Sequence, residues 1–93
     1  MNNYSYHAME RMIERQISEE YIDWVIWLGR KTELLGADLY TFGMEDYWLY
    51  RKRDGIDLSY LIGISVKCAS TSYRPGEPRF VLTVHRDAHR QAA

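Results

Sequence analysis

Three histidines, nine arginines, eight tyrosines and three lysines are the side chains from which this 93-residue chain could build a reaction. His7, Arg11 and Arg15 recur at i, i+4 and i+8, so a helix there lines them up along one side. Near the other end Thr83 and His85 alternate on what reads as a strand, with Arg86 beside them. Such a set is poor for acyl transfer or redox work and suited to cutting RNA without a metal. RNA carries its own nucleophile, the 2′-hydroxyl. The protein must then supply a base near that hydroxyl, cations around the crowded phosphate and an acid for the leaving 5′ oxygen. Histidine exchanges protons near neutral pH, arginine neutralises charge developing on phosphate, and tyrosine stacks on bases. The exposed candidates are His7, Arg11, Arg15, Arg51, Arg53, Thr83, His85 and Arg86. The same residues also have the composition of a solvated helix face and an ordinary sheet surface.

Other chemistries fit less well. His85 and His89 are four apart, but His85 reads as strand and no third ligand is adjacent, so no metal is expected. There is no CxxC or HExxH, no nucleophile elbow, and no glycine-rich phosphate or dinucleotide fingerprint, so no cofactor is expected. Cys68 ends an alternating strand on its apolar side and reads as a small core residue.

Positioning these groups requires helices first and strands after. Residues 6–16 read as a helix capped by Ser5, with Tyr6, Met9, Met12, Ile13 and Ile17 as its apolar face. Ser18 begins a second helix, 19–29, with Glu19 and Glu20 in its first turn and Gly29-Arg30-Lys31 as its stop. From about Lys31 the period shortens to two. Leu39–Phe42 and Tyr47–Tyr50 read as strands, and Asp54-Gly55 as a hairpin turn. Ile56 to Cys68 alternates as one long strand. Phe80–His85 is the last, with Phe80, Leu82 and Val84 on one face and Val81, Thr83 and His85 on the other. Tyr73–Pro78 is a loop, and 87–93 could close the chain as a short helix. The expected fold class is α+β, a single domain over 1–93. Two N-terminal helices pack on a curved antiparallel sheet of three to four strands, leaving the other face open.

Composition sets limits on partners. Hydrophobic residues are 46% and charged residues 27%, ordinary for a folded chain. A domain this small buries only about 60–65% of its unfolded surface, so a second copy or another partner would add stability. No apolar stretch approaches the ~20 residues that span a bilayer, so no membrane association is expected. The lone cysteine and the absence of a signal-peptide pattern suggest the cytoplasm. The net charge of −1 hides an uneven division, −5 over residues 1–46 and +4 over 47–93. A basic half suits nucleic acid, and equally suits attraction between the halves of the fold.

The run His7-Ala8-Met9-Glu10-Arg11-Met12-Ile13-Glu14-Arg15-Gln16-Ile17-Ser18 resembles the opening of a family of small bacterial proteins. That family is a domain of unknown function related to the BrnT toxins and, more distantly, to the RelE/ParE-like ribonuclease toxins. Thr83-Val84-His85-Arg86 is similar to its closing strand, so the likeness covers roughly residues 5–87. The resemblance implies a microbial ribonuclease-like fold in which the first helix and the last strand converge on one cleft. By position it assigns His7, His85, Arg11 and Arg86 to catalysis, and Arg15 and Thr83 to substrate binding. Arg51 joins the binding set because its strand should neighbour the active face. The function implied is a ribonuclease toxin of a toxin–antitoxin pair, with RNA as substrate and an antitoxin as partner. The loop Ala69–Pro78 and the run Tyr47–Tyr50 are longer and richer than that family's pattern. With thirteen aromatics in the chain, they support an alternative: a non-catalytic phage- or plasmid-encoded inhibitor on the same fold, since Tyr, Trp and Arg anchor interfaces.

Overall fold

The computed structural model describes residues 2–70 and 77–87. In chain order it contains β1 (Asn3–Tyr4), α1 (Tyr6–Arg15), α2 (Glu19–Leu28), β2 (Arg30–Leu34), β3 (Ala37–Thr41), α3 (Met44–Asp54), a 3-10 turn (Ser59–Leu61), β4 (Ile64–Ala69) and β5 (Phe80–Arg86). The class is α+β. The sheet holds five strands in the order β1-β5-β4-β3-β2. It is mixed, because β1 runs parallel to β5 while the other neighbours are antiparallel. This corrects the expected antiparallel sheet of three to four strands: β1 is only two residues long, and β2 is exposed throughout with a single apolar residue, Leu34.

Both expected helices form where their caps stand. The Ser5 hydroxyl accepts from the Ala8 N–H at 3.0 Å, and the Ser18 hydroxyl from the Tyr21 N–H at 3.2 Å. The first helix is rolled away from its expected orientation. Ala8 and Ile17 are buried and Met12 packs on the core, whereas Tyr6 and Ile13 are 85% and 80% exposed. Ser5 explains the roll. Its N–H donates to Val81 O at 3.0 Å and its hydroxyl to Leu82 O at 2.8 Å, which ties the helix entry to β5. The small Ala8 then faces the sheet, and the larger apolar side chains turn outward.

The aromatic run Tyr47–Tyr50 is helical, not a strand. The Gly43 N–H donates to the Asp46 carboxylate at 2.9 Å, Glu45 and Asp46 occupy the first turn of α3, and Arg51, Lys52 and Arg53 the last. Both ends therefore complement the helix dipole. Tyr47 and Tyr50, three apart, pack on the core, while Trp48 and Leu49 stay exposed. Tyr50 lies 6.3 Å from Phe42, ring to ring, and donates its hydroxyl to Leu28 O at 3.2 Å. Gly55 takes φ +69° at the helix end, so Asp54-Gly55 is a left-handed helix stop and not a hairpin. From there Leu58 and Leu61, also three apart, are buried around the 3-10 turn, and the expected strand from Ile56 to Cys68 is strand only from Ile64, in β4.

One sheet face carries the core. Tyr40, Ile64, Val66, Cys68, Val81 and Val84 are buried there with Ile22 and Val25 of α2 and Ala8 of α1. A register shift at Lys67/Cys68 pairs Cys68 with Val81 but Lys67 with Thr83. The resulting bulge turns Val81 inward along with Val84, against the expected grouping of Val81 with Thr83 and His85. At the rim Arg79 donates to the Asp38 carboxylate at 2.8 Å and to the Tyr40 hydroxyl, both buried partners. The end of α2 approaches β3 so closely at Gly29 that a Cβ would stand 2.5 Å from Val25 O and 2.6 Å from Thr41 O. The residues 71–76 of the expected loop and 88–93 of the expected terminal helix, His89 included, lie outside the described residues.

Candidate functional site

Strand alternation places the polar residues of β3, β4 and β5 opposite the core. The pairing registers then build cross-strand rows. Arg30, Thr41, Ser65 and His85 form one, and Thr32, Leu39, Lys67 and Thr83 the next. Directly opposed residues on one face have Cβ atoms about 5 Å apart and diagonal ones about 7 Å. Thus the His85 imidazole, the Lys67 ammonium and the hydroxyls of Ser65 and Thr83 are neighbours on adjacent strands, and Thr41 stands one strand further, about 10 Å from His85. His85 is exposed and Lys67 half-buried. Among the described residues Lys67 is in no ion pair, and no helix packs over this face.

A cavity of about 450 Å³ adjoins the first row, lined by Arg30, Thr41, Ser65, Gly43, Glu45 and Asp87 among others. Arg30 is held across its mouth by Glu45 at 2.8 Å. That hydrogen bond keeps the Glu45 carboxyl below its usual range. The rim therefore carries a solvent-exposed ion pair, and among the described residues Lys67 is the cation of this face outside any ion pair.

The seven residues expected at one cleft separate into groups. Thr83 and His85 come together on the open face. Arg86, one position on, points to the covered side, where it pairs with Ile64. There its Nη2 donates to Gln16 O at 3.4 Å, beside Arg15. His7 is exposed on α1, the helix layer of the covered side, so the sheet stands between the two imidazoles. This corrects the shared His7–His85 hollow: a strand's odd and even residues face opposite ways, and α1 joins the even set. Arg11 is occupied by Glu14 at 2.8 Å. Arg51 is exposed in the last turn of α3 and not on a strand beside the active face. Arg53, in the same turn, is paired with Asp54 at 3.0 Å.

Sequence reasoning missed Lys67, Ser65, Thr41 and Arg30 as site residues. The alternation after Ile64 already put Ser65 and Lys67 on a polar face, but only the register with β5 set them beside His85. Cys68 is fully buried, and burial pushes its thiol up to about 11, which makes it a core group and a poor nucleophile. Among the described residues no three His, Cys, Asp or Glu side chains are grouped to hold a metal, and no helix is long and apolar enough to cross a membrane. Compared with protein-family models, with curated proteins and with solved structures, the chain matches none.

Proposed function

We propose that the chain is a metal-independent ribonuclease of the toxin type, acting in the cytoplasm on RNA laid across the open sheet face. The observation that carries this reading is the clustering of His85, Lys67 and two hydroxyls across β4 and β5. His85 takes the proton from a ribose 2′-hydroxyl, and the freed oxygen bonds to the neighbouring phosphorus. The bond to the 5′ oxygen breaks, and that oxygen takes a proton from water. The products are a 2′,3′-cyclic phosphate and a 5′-hydroxyl. Lys67 balances the charge that gathers on the phosphoryl oxygens, and Ser65 and Thr83 on the strands beside His85 donate to them. The microbial ribonuclease-like architecture implied by the resemblance belongs to this proposal, as does an antitoxin that covers the open face.

The test is cleavage of a defined RNA by the purified chain. The His85→Ala variant should lose about 10²–10⁴-fold in rate, the range for a lost acid–base group. Lys67→Ala should lose less, and His7→Ala should retain activity, since it lies beyond the sheet. Intact RNA with the wild-type chain, or full activity in His85→Ala, overturns the reading.

A second reading rests on a different surface. Tyr6, Met9 and Ile13 stand exposed in a line along α1, and Trp27 is exposed on α2 with its ring 5.7 Å from that of Trp24. An apolar line of this kind suits a non-catalytic inhibitor that docks on a host protein. Capture of one stoichiometric partner that survives His85→Ala and disappears with Tyr6→Ser/Ile13→Ser favours it.

A further inference from the structure

Where α1 ends, the chain makes a left-handed step at Gln16, φ +54°, before entering α2. Between that corner and the 3-10 turn lies a hollow of about 390 Å³ lined by Glu14, Arg15, Gln16, Tyr21, Tyr60 and Arg86. Its charge is uneven. The Glu14 carboxylate is taken up by Arg11 at 2.8 Å. Arg15 and Arg86 have no carboxylate partner among the described residues. Arg86 spends one nitrogen on Gln16 O, at a long 3.4 Å, while its Nε is buried with no acceptor. A buried guanidinium nitrogen without an acceptor is costly. That nitrogen is closed to water, so an oxyanion in the hollow would meet the outer guanidinium nitrogens of Arg86, of which Nη2 has only the long bond to Gln16 O. At the far end the Tyr21 and Tyr60 rings pack at 5.0 Å, and Glu20 and Asp57 are near enough to Tyr60 to contribute to its raised phenol, behind burial itself. The hollow is therefore cationic at its arginine end and aromatic, with carboxylates nearby, at the other.

We infer that this hollow binds a small phosphate monoester of mononucleotide size, its phosphate on Arg15 and Arg86 and its remaining part against Tyr60. Two guanidinium groups converging on one hollow suit a phosphate dianion, whose three free oxygens can accept from both forks. A carboxylate offers only two oxygens. The volume exceeds one phosphate group, and the tyrosine end supplies a surface for a flat ring with amino donors. The site does not depend on the ribonuclease reading, since the sheet separates it from His85.

Amide NMR of the full chain, titrated with inorganic phosphate, adenosine 5′-monophosphate and adenosine, tests the inference. Phosphate and the monophosphate should saturate shifts around Arg15, Gln16 and Arg86, and adenosine should not. Arg15→Gln and Arg86→Gln should each weaken binding about tenfold, which is ~1.4 kcal/mol. If the monophosphate binds tighter than phosphate and Tyr60→Ala erases the margin, a nucleotide is the ligand. Equal affinities would mean the hollow takes phosphate alone and would overturn the mononucleotide assignment. Should Arg86→Gln fail to fold, Arg15→Gln, on α1, decides. No saturable shift with either anion, or binding unchanged in Arg15→Gln, overturns the inference, while retained binding in His85→Ala keeps it distinct from the open-face site.

Discussion

On the covered face of the sheet Ile64, Val66, Cys68 and Val81 are closed to water; on the open face Ser65, Lys67 and Thr83 are half-buried and His85 is exposed. The two sets come from the same strands, one residue out of step. The covered set is held by α1 and α2, so the open set is free of any duty in packing. That division lets a domain of 93 residues keep a dense core and still offer a broad polar surface. It also predicts which substitutions disturb stability and which disturb chemistry.

The largest effect should come at the rim of the covered face. Arg79→Ala strands the buried Asp38 carboxylate and should cost about 3–5 kcal/mol in urea unfolding. A loss below ~1 kcal/mol would mean that the pair is hydrated and the rim is not part of the core. Next, Ile64→Ala should cost about 2–4 kcal/mol through the cavity it leaves. Its neighbour Ser65→Ala should stay within ~0.5 kcal/mol, and equal costs for the two would erase the distinction between faces. Ser5→Ala should cost about 1 kcal/mol, since it removes the helix cap and a bond to β5 together.

A smaller effect is tied to pH. The Cys68 thiol is raised from 9.0 to about 11 by burial, so the folded chain favours the protonated thiol. Its contribution to stability is complete below pH 9 and is lost as pH rises towards 11. Unfolding curves of Cys68→Ala should therefore fall less steeply than wild type across that window. Parallel curves would mean that the covered face admits water at Cys68.

The legible parts of the fold were those with local chemistry. Ser5 and Ser18 marked both helix starts because a hydroxyl cap acts within three residues. Phe80–His85 was legible from its β-branched residues, and Thr83 and His85 do share a face. Failures came where local signals were ambiguous. Tyr47–Tyr50 is rich in strand formers, yet Asp46 and the basic last turn favour a helix, and the core takes Tyr47 and Tyr50 at helical spacing. Asp54-Gly55 supports a hairpin or a helix stop equally well, since both need a left-handed glycine. The roll of α1 could not be read from its own apolar residues, because bonds from Ser5 to β5 set it. Of the candidate site, His85 and Thr83 were legible as a pair, whereas Lys67 and Ser65 lacked only the knowledge of their neighbours.

Amino-acid order alone determined the class, the helix caps, the inert cysteine and the alternation of β4, because hydrogen bonding and sterics act over a few residues. Tertiary structure alone decided which imidazole meets which cation. Strand register and the side on which each helix lands are settled by contacts between residues far apart in the chain, such as Ser65 with His85 or Arg86 with Gln16. No local pattern encodes them, since a shift by one residue along β5 would exchange the two faces and leave every local preference satisfied.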